Sequence, residues 1–74
     1  MRIYLELIEV QEEAAAEEPD FIRVDVTEWS RDDVDAAINL LLDQAQAYQY
    51  FTLQKHYCYH EEGEPCYAEV IMQK

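Results

Sequence analysis

The chain has 74 residues and a formal net charge of −12, because 17 aspartates and glutamates face only five lysines and arginines. This length accommodates one domain with one small core. A charge of this size repels phosphate groups, so it excludes direct binding to nucleic acids and to anionic membranes and favours a basic protein partner.

The first two predicted elements are β-strands. Residues 2–10 alternate between apolar side chains on one side and a mixture of apolar and polar ones on the other, and residues 21–26 (FIRVDV) alternate cleanly. Between them, residues 11–20 (QEEAAAEEPD) carry four mutually repelling glutamates and a proline that ends any helical turn. We therefore expect two strands joined by a mobile acidic loop at 11–20.

A helix is predicted after Ser30. Serine is a common N-cap, and Asp33 stands three residues later, as the acid of a capping box does. Apolar side chains then recur at three- and four-residue spacing, which predicts one apolar stripe down a helix of about five turns. The stripe consists of Val34, Ala37, Ile38, Leu41, Ala45 and Tyr48.

From residue 50 onward the period changes to two, which predicts a hairpin around a turn at 61–64 (EEGE). The register that best gathers apolar side chains on one face pairs Tyr59 with Cys66 and Leu53 with Met72. This register sends Cys58 and Cys66 to opposite faces of the hairpin.

The order β-β-α-β-β predicts an α+β fold, a single small domain of residues 1–74 in which one helix packs on one face of a four-stranded antiparallel sheet. The other face of this two-layer sandwich stays open, and it carries more apolar surface than the single exposed apolar residues of an ordinary protein surface. We expect this face to bind a protein partner or a second copy of the chain. The alternative explanation is that tyrosines are common in β-strands whether or not a partner binds. The contact candidates are Tyr4, Ile8, Tyr50, Tyr67 and Ile71.

Acidic side chains outside the sheet are expected to steer a basic partner towards this protein. Three explanations of the charge remain open: mimicry of nucleic acid towards a basic protein, adaptation to high salt, and solubility alone. The candidate steering residues are Glu12, Glu13, Glu17, Glu18, Glu61, Glu62 and Glu64.

The most suggestive local pattern is H-x-C-x-H-x5-C, formed by His56, Cys58, His60 and Cys66. Zinc takes four such ligands tetrahedrally, so a small zinc-binding module is the alternative function. Strand alternation and the preferred register argue against it, because they send Cys66 to the other face and set the remaining three ligands in a line. The same geometry argues against a disulfide between the two cysteines.

No catalytic site and no cofactor is predicted. The single glycine, Gly63, excludes phosphate-binding loops and nucleophile elbows, which need several glycines at set spacings. A nucleophilic thiol is disfavoured, because acidic surroundings raise the pKa of a thiol. The start MRIYLELIEV shows no secretory leader, so we expect a cytoplasmic protein with two reduced cysteines.

Overall fold

The computed structural model describes residues 1–11 and 19–74; most of the predicted acidic loop, residues 12–18, lies outside the described residues. The strands form one antiparallel sheet in the order β2-β1-β3-β4, and the helix follows β2, which confirms the predicted α+β fold. The elements are β1 (Arg2–Glu9), β2 (Phe21–Asp25), α1 (Arg31–Ala45), β3 (Phe51–Cys58) and β4 (Tyr67–Gln73).

The hydrophobic core lies between the sheet and α1. Leu5 and Leu7 of β1 and Leu53 of β3 are completely buried, and Leu41 and Ala45 of α1 pack against the same cluster. Burying one leucine side chain stabilises a fold by roughly 2 kcal/mol, so these two central strands and the helix stripe supply much of the stability. The predicted apolar faces of β1 and α1 are confirmed.

Helix α1 begins as predicted and ends earlier than predicted. The side-chain oxygen of Ser30 accepts a hydrogen bond from the backbone N–H of Asp33 at 3.2 Å. The helix ends at Ala45, and Tyr48 lies in the following turn, where it is still only 6% exposed. With 15 residues, α1 is too short to cross a bilayer, and no helix within residues 1–11 and 19–74 has the length and apolarity for it.

The predicted register of the hairpin is wrong at its turn end. Leu53 lies opposite Met72 as predicted. From Gln54 to the turn, each residue of β3 pairs with the β4 residue one position earlier in the sequence than predicted, so that Tyr57 lies opposite Tyr67. The difference is a β-bulge with Ile71 as its extra residue, and the Ile71 side chain packs against the core. A shift of one residue moves a side chain to the other face of a sheet.

The shifted register changes which side chains share a face. Tyr57 pairs with Tyr67, so the next position towards the turn places Cys58 opposite Cys66. Strand β3 ends at Cys58, and the chain then turns through a short 3-10 helix, His60–Glu62, so the residues after Cys58 no longer continue the line of the strand. Both geometric objections to a shared site on this hairpin are therefore removed.

Candidate metal site on the hairpin

Two cysteines and a histidine meet on the open face, which is the face of the sheet away from α1. One ligand atom from each of His56, Cys58 and Cys66 lies within 4.8 Å of the other two. His56 and Cys58 are two residues apart on β3 and share a face by alternation, and the bulge brings Cys66 to that face from the other side of the hairpin. All three are half-buried, and both cysteines are free thiols.

His60 adds a fourth metal-binding side chain to this cluster. Its Nδ1 atom lies 3.0 Å from the sulfur of Cys58 and 3.2 Å from the sulfur of Cys66. The turn that carries His60 is closed by Gly63, whose φ of 73° lies in the left-handed region that glycine adopts without strain. The turn thus folds His60 back over the end of the strand.

The spacing of these atoms is close to that of a tetrahedral zinc site. Zn–S bonds of about 2.3 Å and Zn–N bonds of about 2.0 Å separate neighbouring ligand atoms by about 3.3 to 3.8 Å. The two sulfur contacts of His60, 3.0 and 3.2 Å, are slightly shorter, and the spacing among His56, Cys58 and Cys66 is up to 4.8 Å. Side-chain movements of about an ångström would therefore bring His56, Cys58 and Cys66 to this spacing, and His60, which contacts both sulfurs, is the side chain available for the fourth position.

Local hydrogen bonds favour ionisation of the Cys58 thiol. The backbone N–H of His60, then the His60 ring and Cys66, lower the pKa of Cys58 from 9.0 to about 7. The expectation that acidic surroundings would raise the pKa of this thiol is wrong, because local hydrogen bonds to sulfur outweigh the distant carboxylates. Across the hairpin, the backbone N–H of Tyr59 donates a hydrogen bond to the sulfur of Cys66 at 3.4 Å.

A buried carboxylate lies beside this cluster, at the centre of the open face. Glu6 in β1 is only 3% exposed, and its direct cross-strand neighbours are Arg23 and Gln54. Nε of Arg23 donates to Oε2 of Glu6 at 2.8 Å, and Nε2 of Gln54 donates to Oε1 at 2.7 Å. Nδ1 of His56 lies 3.1 Å from Oε2, so Glu6 is also joined to the metal-binding cluster.

Glu6 remains ionised despite its burial. Burial raises the pKa of Glu6, but hydrogen bonds with Gln54, His56 and Arg23 outweigh this effect and hold the pKa below its ordinary value of 4.5. Nη2 of Arg23 lies 2.7 Å from Oε2, so the positive guanidinium compensates the buried negative charge.

Arg23 also joins this network to the aromatic side chains of the open face. Its guanidinium carbon lies 5.0 Å from the ring centre of Tyr4 and 5.3 Å from that of Phe21, within the range of cation–π attraction. Tyr4 and Ile8, which were predicted to contact a partner, do lie on this face and are half-buried. Tyr50 directly precedes β3 and is also half-buried.

Two predicted contact residues lie on the other face, so their expected placement is wrong. Tyr67 lies opposite Tyr57 and stacks on its ring at a centroid distance of 4.7 Å, and Tyr57 lies opposite Ile3 on the helix side of the sheet. Ile71 packs against the core because of the bulge. Both side chains therefore lie on the helix side of the sheet.

The predicted steering residues divide into two groups. Glu61, Glu62 and Glu64 are exposed around the hairpin turn, next to the metal-binding cluster. The other four, Glu12, Glu13, Glu17 and Glu18, lie outside the described residues.

Comparison with known proteins adds no information about this site, because no protein-family model, no curated protein and no solved structure matches the chain.

The role of Glu6 was not predicted from the sequence. Its place on the open face was expected, but no partner was assigned to it, although a signal was present. Glu6 lies between Leu5 and Leu7, so its charge is buried if β1 is a central strand. A buried charge needs polar partners, and the strands on either side carry Arg23 and Gln54. Only the strand order makes β1 central, so the pairing could not be read from β1 alone.

Proposed function

We propose that this protein is a small metal-binding module that takes one Zn²⁺ on its hairpin. One observation carries the proposal: His56, Cys58 and Cys66, separated by up to ten positions in the sequence, place ligand atoms within 4.8 Å of one another. His60 is the fourth ligand. A closed Cys₂His₂ set of this kind is typical of zinc sites that stabilise a fold.

The chemistry of the ligands supports zinc over harder cations. Thiolates and imidazoles are soft or borderline ligands, whereas calcium and magnesium prefer carboxylate and carbonyl oxygens. Closing the hairpin with a metal would also help a chain of this size, because small cores supply little stability. The two thiols must stay reduced to bind, so we place the protein in the cytoplasm.

The decisive experiment is native mass spectrometry of the purified protein titrated with Zn²⁺, followed by thermal unfolding with and without a chelator. We expect one zinc per chain and a midpoint of unfolding that falls when the metal is removed. With Co²⁺ in place of zinc, thiolate ligation gives an intense charge-transfer band in the near ultraviolet. Cys58→Ser and Cys66→Ser should each weaken binding at least tenfold.

A control is needed because carboxylates are general ligands of divalent cations, and the chain has 17 acidic residues. The double variant Asp32→Asn, Asp35→Asn removes two exposed carboxylates at the start of α1, on the side of the sheet that faces away from the cysteines. It should bind zinc as the wild type does. If the cysteine variants bind zinc as tightly as the wild type, or if the cobalt complex lacks the thiolate band, the proposed function is wrong.

A second candidate function is association with a basic amphipathic segment of another protein. An exposed groove between β2 and α1 favours it, because its lining is mainly apolar and Leu40 within it is 70% exposed. Trp29 and Asp33 also line this groove, and the net charge of −12 attracts a basic partner, with the exposed glutamates of the hairpin turn adding to the long-range attraction.

The groove can be tested with a synthetic amphipathic peptide of leucine and lysine. Trp29 is the only tryptophan, so its fluorescence reports whether the peptide occupies the groove. Binding should weaken with salt and should be lost in Leu40→Asp but kept in Val70→Asp, which adds the same charge at an exposed position of β4. Equal binding by the two variants would contradict docking in the groove.

A further inference from the structure

The hydrogen bond between Glu6 and His56 limits how His56 can bind a metal. A neutral imidazole carries its proton on one ring nitrogen and offers the lone pair of the other. The nitrogen that lies 3.1 Å from Oε2 of Glu6 is Nδ1. Because an ionised carboxylate only accepts hydrogen bonds, Nδ1 must be the donor, and the nitrogen left for a metal is Nε2.

Glu6 is fixed in position by burial and by hydrogen bonds from two neighbouring strands. It is 3% exposed, it lies on the central strand β1, and its two oxygens accept hydrogen bonds from Arg23 and Gln54 on the two neighbouring strands. His56 lies opposite Tyr4, diagonal to Glu6, and its side chain is 21% exposed. The carboxylate therefore imposes an orientation on the imidazole ring.

We propose that Glu6 is a positioning residue of the metal site, which holds His56 in the tautomer and orientation that present Nε2 to the metal. This inference rests on the proposed zinc-binding function. Carboxylates that accept the second N–H of a metal-binding histidine raise its affinity for the metal, and their loss usually weakens binding by about 10- to 100-fold. In this protein the carboxylate comes from the neighbouring strand β1, which is far from His56 in the sequence, so the sheet itself orients the ligand.

The variant Glu6→Gln tests this role, since its amide has nearly the same shape as the carboxylate but carries no charge. Arg23 only donates hydrogen bonds, so the amide oxygen takes the place of Oε2, and a neutral oxygen accepts from Nδ1 more weakly than a carboxylate and holds the tautomer and orientation of His56 less firmly. The matched control is Glu69→Gln, the same change at an exposed position of β4 opposite Lys55. We expect zinc affinity, measured by competition with a chromophoric chelator, to fall about 10- to 100-fold in the first variant and to be unchanged in the second.

A second measurement needs no variant, so it remains informative even if Glu6→Gln does not fold. Long-range proton–nitrogen correlation NMR of the metal-free wild type identifies the protonated ring nitrogen of each histidine. We expect His56 to carry its proton on Nδ1. In the Cd²⁺-loaded protein we expect coupling between cadmium and Nε2 of His56.

The outcomes separate this inference from the proposed function. If the wild type does not bind zinc, the proposed function is wrong and Glu6 has no metal ligand to position. If the wild type binds zinc but His56 carries its proton on Nε2, or folded Glu6→Gln binds as tightly as Glu69→Gln, the role of Glu6 alone is overturned. A proton on Nδ1 together with weakened binding in Glu6→Gln supports both.

Discussion

Leu7 lies directly opposite Leu53 at the centre of the sheet, and neither residue is exposed to solvent. The pair joins the two central strands beneath α1, where Leu41 and Ala45 pack against the same cluster. The core is therefore concentrated on β1 and β3, the strands that also carry Glu6 and His56 on the opposite face.

Leu53→Ala should destabilise the protein by about 3 kcal/mol, because it removes a completely buried side chain and leaves a cavity. Leu40→Ala, the same substitution at a side chain that is 70% exposed, should change the free energy of unfolding by less than about 0.5 kcal/mol. Denaturant unfolding of the two variants measures both values. Similar losses in the two variants would contradict the position of the core.

Gly63→Ala should cost about 1 kcal/mol of folding stability. The residue has a φ of 73°, which alanine adopts only with strain, but a Cβ added there would meet no atom within 4 Å beyond the neighbouring residues of the chain. The cost is therefore conformational and not steric. Gly63→Asn should cost less, since asparagine tolerates the left-handed region better. Denaturant unfolding should rank the three proteins as glycine, asparagine, alanine in decreasing stability.

The protein should lose stability in acid partly through Glu6. The pKa of Glu6 is lower in the folded protein than its ordinary value of 4.5, so its contribution is fully present above about that pH and is lost as the pH falls through the folded pKa. Free energies of unfolding measured from about pH 7 down to about pH 3 should fall less steeply in Glu6→Gln than in Glu69→Gln. Parallel slopes would contradict the buried ionised carboxylate.

Cys58 should react with iodoacetamide as a thiol whose pKa is about 7. The modified peptide, followed by mass spectrometry over a range of pH in metal-free protein, reports Cys58 separately from Cys66. His60→Ala should move the midpoint to higher pH, because it removes the ring contact with the sulfur at 3.0 Å. In denaturant the midpoint should return towards the ordinary value of 9.0, and a native midpoint already at that value would contradict the assigned hydrogen bonds.

The sequence alone was sufficient for the elements and their order. Alternation in residues 2–10 and 21–26, the cap at Ser30 and the stripe that includes Leu41 are local patterns, and each depends on neighbours within a few positions. Burial of Leu5, Leu7 and Leu41 follows from these patterns, because one face of each element is apolar.

The site was decided by the tertiary structure. The bulge at Ile71 turns that side chain to the core and shifts the pairing of the hairpin by one residue, which moves Cys66 to the face of His56 and Cys58. Because side chains alternate with a period of two, one extra residue reverses the face of every residue beyond it, and packing against the distant core selects the bulge. The contact of Glu6 with His56 likewise requires that β1 and β3 be neighbours, which no local pattern specifies.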